Sequence, residues 1–472
     1  MSLQPNEAST ETKPGGAISF PPGFVWGAAT AAFQVEGATA ADGRSESIWD
    51  RFAATPGAVV NGDTGDPAAD HYRRYESDIG LMRELGLGAY RFSIAWPRVR
   101  PDAGAPNALG IEFYDRLVDR LLDAGIEPWA TLYHWDLPQA LEDKGGWAER
   151  STAYRFAEYA ETIASRLGDR VAAWTTLNEP WCAAMLGYAN GLHAPGRTDP
   201  EAAVAAAHHL MLGHGLAMDV IRRHAPDTPA GITLNLYPVV ASDPSSAADA
   251  DAARRVDGLQ NRLFLDPLLN GTYPEDIADD LEPFGLDHVV RDGDLAAIAA
   301  PIDLLGINYY RGYEVTGTPR PGTEPGGPEW IGARNLAFVS DNRLPRTDSG
   351  WQVQPDGLTT TLLQIHRDYP GVPLYITENG ASYPDVLSEQ GEVNDHDRIA
   401  FLDSHLRAAH DAIAAGVDLR GYFYWSLLDN FEWAEGYAKR FGLIHVDYQT
   451  QRRTPKQSAN WLSRVISLNS IG

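Results

Sequence analysis

Short apolar runs rich in β-branched and aromatic residues alternate along this chain with longer stretches whose apolar positions recur every three to four residues. The first kind predicts buried parallel strands and the second amphipathic helices that cover them. Strands are expected at residues 24–30, 89–96, 127–134, 171–179, 231–237, 303–310, 373–377 and 421–427. Helices are expected at 70–86, where Tyr72, Tyr75, Ile79, Met82 and Leu85 share a face, and at 110–124, 151–167 and 200–224. Further helices are expected at 251–269, in parts of 274–300, and at 357–369, 394–415 and 458–468. Eight strand–helix repeats give an α/β fold and favour a closed (β/α)8 barrel over an open sheet, with its working end at the C-terminal ends of the strands. Two connections interrupt the rhythm. Residues 42–70 are rich in Gly, Asp and Pro without periodicity, and residues 317–346 form a Pro/Gly-rich insertion too long for a plain turn, read as a rim loop with a function. Residues 1–17 are polar and lack the apolar core of a signal peptide, so they are expected to form a disordered tail ahead of one barrel domain at 18–472.

Two of the strands end on carboxylates. The run Pro373-Leu374-Tyr375-Ile376-Thr377 stops at Glu378 and then at Asn379-Gly380, a turn signal. The run from Val171 to Asn178 stops at Glu179, and Pro180 ends the ladder by removing a donor. A carboxylate at the end of an interior strand is costly to desolvate and adds nothing to a core. Two of them converging on one barrel mouth is what glycoside hydrolysis requires, one to protonate the leaving oxygen and one to attack or to activate water.

Composition narrows the partners. The net charge of −26, from 64 acidic and 38 basic residues, argues against nucleic acid or an anionic membrane. The 13 Trp and 20 Tyr exceed what a core needs and suggest aromatic platforms for a ligand. The single cysteine, Cys182, excludes an intramolecular disulfide and reads as a packed small side chain, in keeping with a cytoplasmic protein. His208, His209 and His214 share a predicted helix without an HExxH motif, so a packed or solvated face is expected rather than a metal site. Arg452, Arg453 and Lys456 read as a solvated face. With no Walker loop or dinucleotide fingerprint, neither cofactor nor metal is expected.

Three stretches, Thr176-Leu177-Asn178-Glu179-Pro180, Ile376-Thr377-Glu378-Asn379-Gly380 and Asn430-Phe431-Glu432-Trp433, resemble the signatures of family 1 glycoside hydrolases, the β-glucosidase family. The opening Phe24-Val25-Trp26-Gly27-Ala28-Ala29-Thr30 and the block at 436–448 resemble it too, in the same order. The resemblance implies a retaining β-glucosidase acting through a covalent glycosyl-enzyme, with Glu378 as nucleophile and Glu179 as acid/base. It implies support of the nucleophile by Arg91 and Tyr310, with Asn308 close to the acid/base. Gln34, His134, Asn178, Glu432 and Trp433 would grip the sugar hydroxyls, and Trp425 would lie under the ring. Trp351 and Trp181, with His193 and Asn235 as weaker matches, would wall the aglycone side. A cis peptide is implied at Trp425-Ser426.

The implied substrate is a small glycoside or oligosaccharide with terminal β-linked glucose, and β-galactosides and β-fucosides are implied as well. A branch of the family cleaves 6-phosphorylated glycosides, with small residues in place of the Glu-Trp pair near a phosphate-binding lysine. This chain keeps Glu432 and Trp433, and a charged Glu432 would repel a phosphate. Two other readings stay open on the sequence. One is a transglycosylase using the same intermediate. The other is a sugar-binding protein without catalysis, which the presence of both glutamates disfavours.

Overall fold

The computed structural model describes residues 18–472, so the tail expected at 1–17 lies outside the described residues. Eight parallel strands close a barrel in chain order: β1 (Val25–Ala29), β2 (Ala89–Ser93), β3 (Glu127–Tyr133), β4 (Ala173–Asn178), β5 (Ala230–Asn235), β6 (Leu304–Asn308), β7 (Leu374–Asn379) and β8 (Leu419–Trp425), with β8 pairing back onto β1. Each is one of the eight expected from the sequence. Their residues are almost all buried, because side chains fill the barrel on one face and meet the helices on the other. The covering helices include α1 (His71–Glu84), α2 (Ala108–Asp123), α3 (Ser151–Leu167), α4 (Pro200–His224), α5 (Ala247–Asp257), α6 (Pro355–Asp368), α7 (His396–Ala414) and α8 (Gln457–Leu468).

Glutamates at strand ends reach the mouth because neighbouring strands pack closely there. Gly380 follows the end of β7, and a Cβ at this position would sit 1.7 Å from the Trp425 carbonyl at the end of β8. Any side chain would force the two strand ends apart. The Trp425–Ser426 peptide is cis, as the family resemblance implies.

The loop segments depart most from expectation. The aperiodic stretch at 42–70 contains a helix, Ile48–Ala53. Six residues are too few to display a period, but the start signal was present. Ser47 Oγ accepts from the Asp50 amide while Asp50 Oδ2 accepts from the Ser47 amide at 2.7 Å, a reciprocal cap. The insertion at 317–346 is also ordered. Strands Thr323–Pro325 and Ala337–Val339 form a hairpin that pairs with Tyr313–Thr316, which in turn pairs with Val239–Ala241. This small sheet stands beside the barrel mouth.

Arg453 and Lys456 do not form a solvated face. Arg453 is half-buried, with its guanidinium 2.9 Å from Asp78. Lys456 is fully buried, with Nζ 2.7 Å from Asp429 and also paired with Asp385. Carboxylates distant in sequence, Asp78 for Arg453 and Asp385 with Asp429 for Lys456, hold these two side chains. Replacing Lys456 by Met leaves Asp385 with Arg398 and Asp429 with Arg440 as paired cations among the described residues. It is expected to cost about 3 kcal/mol, since breaking a buried ion cluster leaves charge uncompensated. A denaturant midpoint unchanged from wild type would refute that role.

Candidate active site

A cavity of about 900 Å³ opens at the C-terminal ends of the strands. His134, Glu179, Trp181, His193, Asn235, Tyr310, Trp351, Glu378, Trp425, Glu432 and Trp433 all line it. Gln34, Arg91, Asn178 and Asn308 are buried behind that lining. Every site residue expected from the sequence is therefore in or directly behind one cavity.

The two strand-end glutamates sit in different surroundings. Glu378, on β7, is held from two sides: Arg91 on β2 donates to Oε1 at 2.7 Å and the Tyr310 hydroxyl donates to Oε2 at 2.8 Å. Glu179, one residue past β4, receives neutral donors instead. Asn308 Nδ2 lies 2.6 Å from Oε1, and the Cys182 thiol donates to Oε2 at 3.0 Å. One side chain ties the pair together: Asn178 Oδ1 accepts from Arg91 at 2.6 Å and from Asn308 at 3.0 Å. The network thus runs Glu378–Arg91–Asn178–Asn308–Glu179.

Burial raises the pKa of both acids. For Glu378, Arg91 and then Tyr310 counter that effect. For Glu179 the Glu378 charge adds to it, and its pKa is pushed up to about 7. Of the two, Glu179 is therefore the acid that takes up a proton first as the pH falls through about 7.

The inner end of the cavity carries unspent hydrogen-bonding capacity. Burial and then Arg91 hold the pKa of His134 well below its ordinary value, so the ring is neutral. Its Nε2 accepts from Asn178 Nδ2 at 3.1 Å, which places the ring proton on Nδ1, an atom with no partner among the described residues. Gln34 donates through Nε2 to Asn430 and to the Phe431 carbonyl, leaving its Oε1 unpartnered. Glu432 Oε2 is buried and unpartnered too, and burial, then Glu378, pushes the pKa of Glu432 up to about 8. Buried groups in this state fit hydroxyl-bearing ligands, each of which can donate and accept.

Trp433 is fixed between Trp49 and Trp135, each at 4.5 Å between ring centroids. Trp135, Glu179 and Trp433 adopt φ of 76°, 46° and 52°. Such left-handed backbone costs roughly 1–3 kcal/mol per non-glycine residue and persists where the surroundings over-determine it, as at a binding site. His193 packs against Trp49, Trp135 and Trp433 rather than beside Trp181, so it belongs to this aromatic cluster. Asn235 and Trp181 do lie on the Glu179 side. Asn235 Nδ2 is 3.7 Å from Cys182 Sγ, and Trp181 packs on Trp330 at 5.4 Å.

Sequence reasoning missed several of these contacts. Cys182 is buried as expected, yet its thiol touches Glu179. The signal was its position three residues on, one helical turn away. Trp330 and Phe338 come from the insertion, where no period marked them. The histidines of α4 face inward: His208 meets Asp294 at 2.9 Å, His209 the Trp147 carbonyl at 3.0 Å, and His214 Thr176 at 2.7 Å. Among the described residues no group of three or more metal-binding side chains is assembled, and no helix is long and apolar enough to cross a membrane.

Comparison with known proteins agrees with this geometry. The model of glycosyl hydrolase family 1 matches residues 17–471. The thermostable beta-glucosidase B of Thermobispora bispora is 51% identical over 459 residues, 97% of this chain and 92% of that protein. The bifunctional beta-D-glucosidase/beta-D-fucosidase of Bifidobacterium breve is 48% identical, covering 96% of this chain and 99% of its own length. Among solved structures, the psychrophilic beta-glucosidase of Micrococcus antarcticus superposes with a TM-score of 0.94 at 51% identity, over 96% of this chain and 98% of that one. The Thermotoga maritima beta-glucosidase in complex with deoxynojirimycin gives a TM-score of 0.90 at 44% identity, over 96% of this chain and 100% of that one. With its closed eight-stranded barrel and its match along nearly its whole length, the chain belongs to glycosyl hydrolase family 1, a family of glycoside hydrolases.

Proposed function

We propose that this glycoside hydrolase removes terminal β-D-glucosyl residues from small glycosides with retention of configuration, and accepts β-fucosides and β-galactosides more weakly. The observation that carries the reading is the asymmetry of the two linked glutamates, one clamped by a cation and a phenol, the other supplied with neutral donors and a proton. In the first step a Glu378 oxygen attacks the anomeric carbon as the glycosidic bond breaks, and the departing oxygen takes the proton of Glu179. The new ester removes the Glu378 charge, so the pKa of Glu179 falls. Glu179 then accepts a proton from the water that attacks the same carbon, which regenerates both acids. Asn178, with its oxygen committed to Arg91 and Asn308 and one Nδ2 proton donated to His134, keeps the other Nδ2 proton for the sugar 2-hydroxyl. His134 Nδ1–H, Gln34 Oε1 and Glu432 Oε2 meet the remaining hydroxyls, and Trp425 supports the ring. The named activities of the relatives support glucose and fucose as the sugars.

A kinetic screen of aryl β-glycosides and of disaccharides differing in linkage tests the assignment. Dominant turnover of β-glucosides with β-glucose as the first product is expected, and α-glucose as the first product would refute retention. Adding an alcohol acceptor and measuring the ratio of glycoside to free sugar separates hydrolysis from transfer.

The expected repulsion of a 6-phosphate by Glu432 is weakened, because burial and then the Glu378 charge push the pKa of this carboxyl up to about 8. Exclusion falls to Trp433, which is locked by its neighbours, and to the lack of a free lysine along the lining among the described residues. Lys439 does line the cavity, but its ammonium is held 3.0 Å from the Asp348 carboxylate. We therefore expect p-nitrophenyl β-glucoside to exceed its 6-phosphate by at least about a hundredfold in kcat/KM, roughly 2.7 kcal/mol. Glu432→Ser should narrow that gap, mainly by harming the neutral substrate. Equal or better turnover of the phosphorylated glycoside would sink the specificity.

A further inference from the structure

Beyond Glu179 the cavity is walled by aromatic rings from the insertion and from the segment after β6. Trp330 meets Trp181 at 5.4 Å, Phe338 at 5.3 Å, and Tyr313 edge-on at 5.6 Å. Against this wall lies Arg311, which directly follows Tyr310. Its guanidinium carbon is 5.1 Å from the ring centre of Tyr313 and 5.3 Å from that of Trp351. One of its nitrogens donates to the Tyr313 hydroxyl at 3.3 Å. Among the described residues Arg311 makes no ion pair. Its charge acts on Cys182 and on Tyr237, and Tyr237 also feels Glu179, so the guanidinium stands on the side from which a leaving group departs.

An unpaired arginine is unexpected here. The chain has 64 acidic residues against 38 basic ones, so a carboxylate partner was easy to place. Two acids that share this stretch of cavity have other partners: Glu314 accepts from Ser242 at 2.7 Å and Glu329 from Asn190 at 3.0 Å, and among the described residues no acid of the lining pairs with Arg311. Lys439, another cation of the lining, is spent on Asp348. A half-buried guanidinium flanked by two aromatic rings, with most of its five donors without a protein partner among the described residues, binds an incoming carboxylate through paired, charge-assisted hydrogen bonds. The flat rings beside it offer stacking to a flat group. On the reading of the site as a β-glucosidase, the geometry points to an aglycone site for aromatic leaving groups that bear a carboxylate, with Arg311 as the residue that selects them.

The test compares 4-carboxyphenyl β-glucoside with its 4-carboxamide analogue, as the ratio of their kcat/KM values in wild type and in variants. Dividing the variant's ratio by the wild-type ratio cancels the intrinsic difference between the two leaving groups. Arg311→Gln should lower the carboxylate-to-carboxamide ratio at least about tenfold while the carboxamide is still cleaved. Arg311→Lys, which keeps the charge without the planar fork, should fall between them. A ratio within about twofold of wild type in Arg311→Gln, or equal loss of both substrates, overturns the proposal. Inhibition needs no variant: 4-hydroxybenzoate should inhibit the wild-type enzyme at about one-tenth the concentration of 4-hydroxybenzamide, and equal potency overturns the proposal. Failure of wild type to cleave either glucoside would instead overturn the β-glucosidase reading on which the proposal rests.

Discussion

Glu378→Ala is expected to abolish turnover, and added azide to restore cleavage of activated aryl glucosides with the α-glucosyl azide as product. The alanine removes the carboxylate that Arg91 holds by one oxygen and Tyr310 by the other, and water cannot replace it as a nucleophile at neutral pH. The loss in kcat is expected to reach at least about 10⁴-fold, as for other single removals of a covalent nucleophile. Azide is small, anionic and unprotonated at neutral pH, so it fits the space the carboxylate leaves beside Arg91. Attack from the opposite face, with no second displacement to follow, inverts the anomeric centre once. Arg91 keeps Asn178 and the Thr377 carbonyl as partners, which limits the structural damage. Glu378→Gln, nearly the same shape without the charge, should be as inactive and better folded. Rescue that yields β product, or near wild-type activity in either variant, would remove Glu378 from the role of nucleophile.

The barrel was legible because each of its strands is a complete message in itself. A run such as Val171–Leu177, apolar and closed by a carboxylate and a proline, states its own burial, its end and its direction. The pair of glutamates was legible for the same reason, since their cost to an interior strand is local. What was not legible depends on partners distant in sequence. Lys456 reads as a surface residue until Asp385 and Asp429 are beside it. Arg311 likewise shows its want of an ion pair only once the rings of Tyr313 and Trp351 are in place. The helix Ile48–Ala53 was hidden by its length, and the hairpin in the insertion by strands of three residues that hold a period for barely one repeat. Glu432 is the subtler case. Its position was legible, but its protonation follows from burial next to Glu378, which no local pattern encodes.

Glu179→Ala is expected to divide substrates by leaving group, in kcat/KM, which reports the first chemical step. A 2,4-dinitrophenolate departs without a proton, so its glucoside should lose less than about tenfold. An alkyl glucoside or cellobiose releases an alcohol that must be protonated as the bond breaks, and should lose about 10²–10⁴-fold. With the activated substrate kcat itself should fall much further than kcat/KM, because no base remains to activate water against the glycosyl-enzyme. The pH profile carries the same assignment. The protonated form of Glu179 is the active one, and its pKa is raised to about 7, first by burial and then by the Glu378 charge. Wild-type kcat/KM on a poor leaving group should therefore be sustained below pH 7 and fall about tenfold per unit well above it. Since that descent reports loss of the Glu179 proton, it should flatten for the dinitrophenyl substrate in Glu179→Ala. Its survival there at pH 7 would assign the proton to another group, as would equal loss of both classes of substrate in the variant.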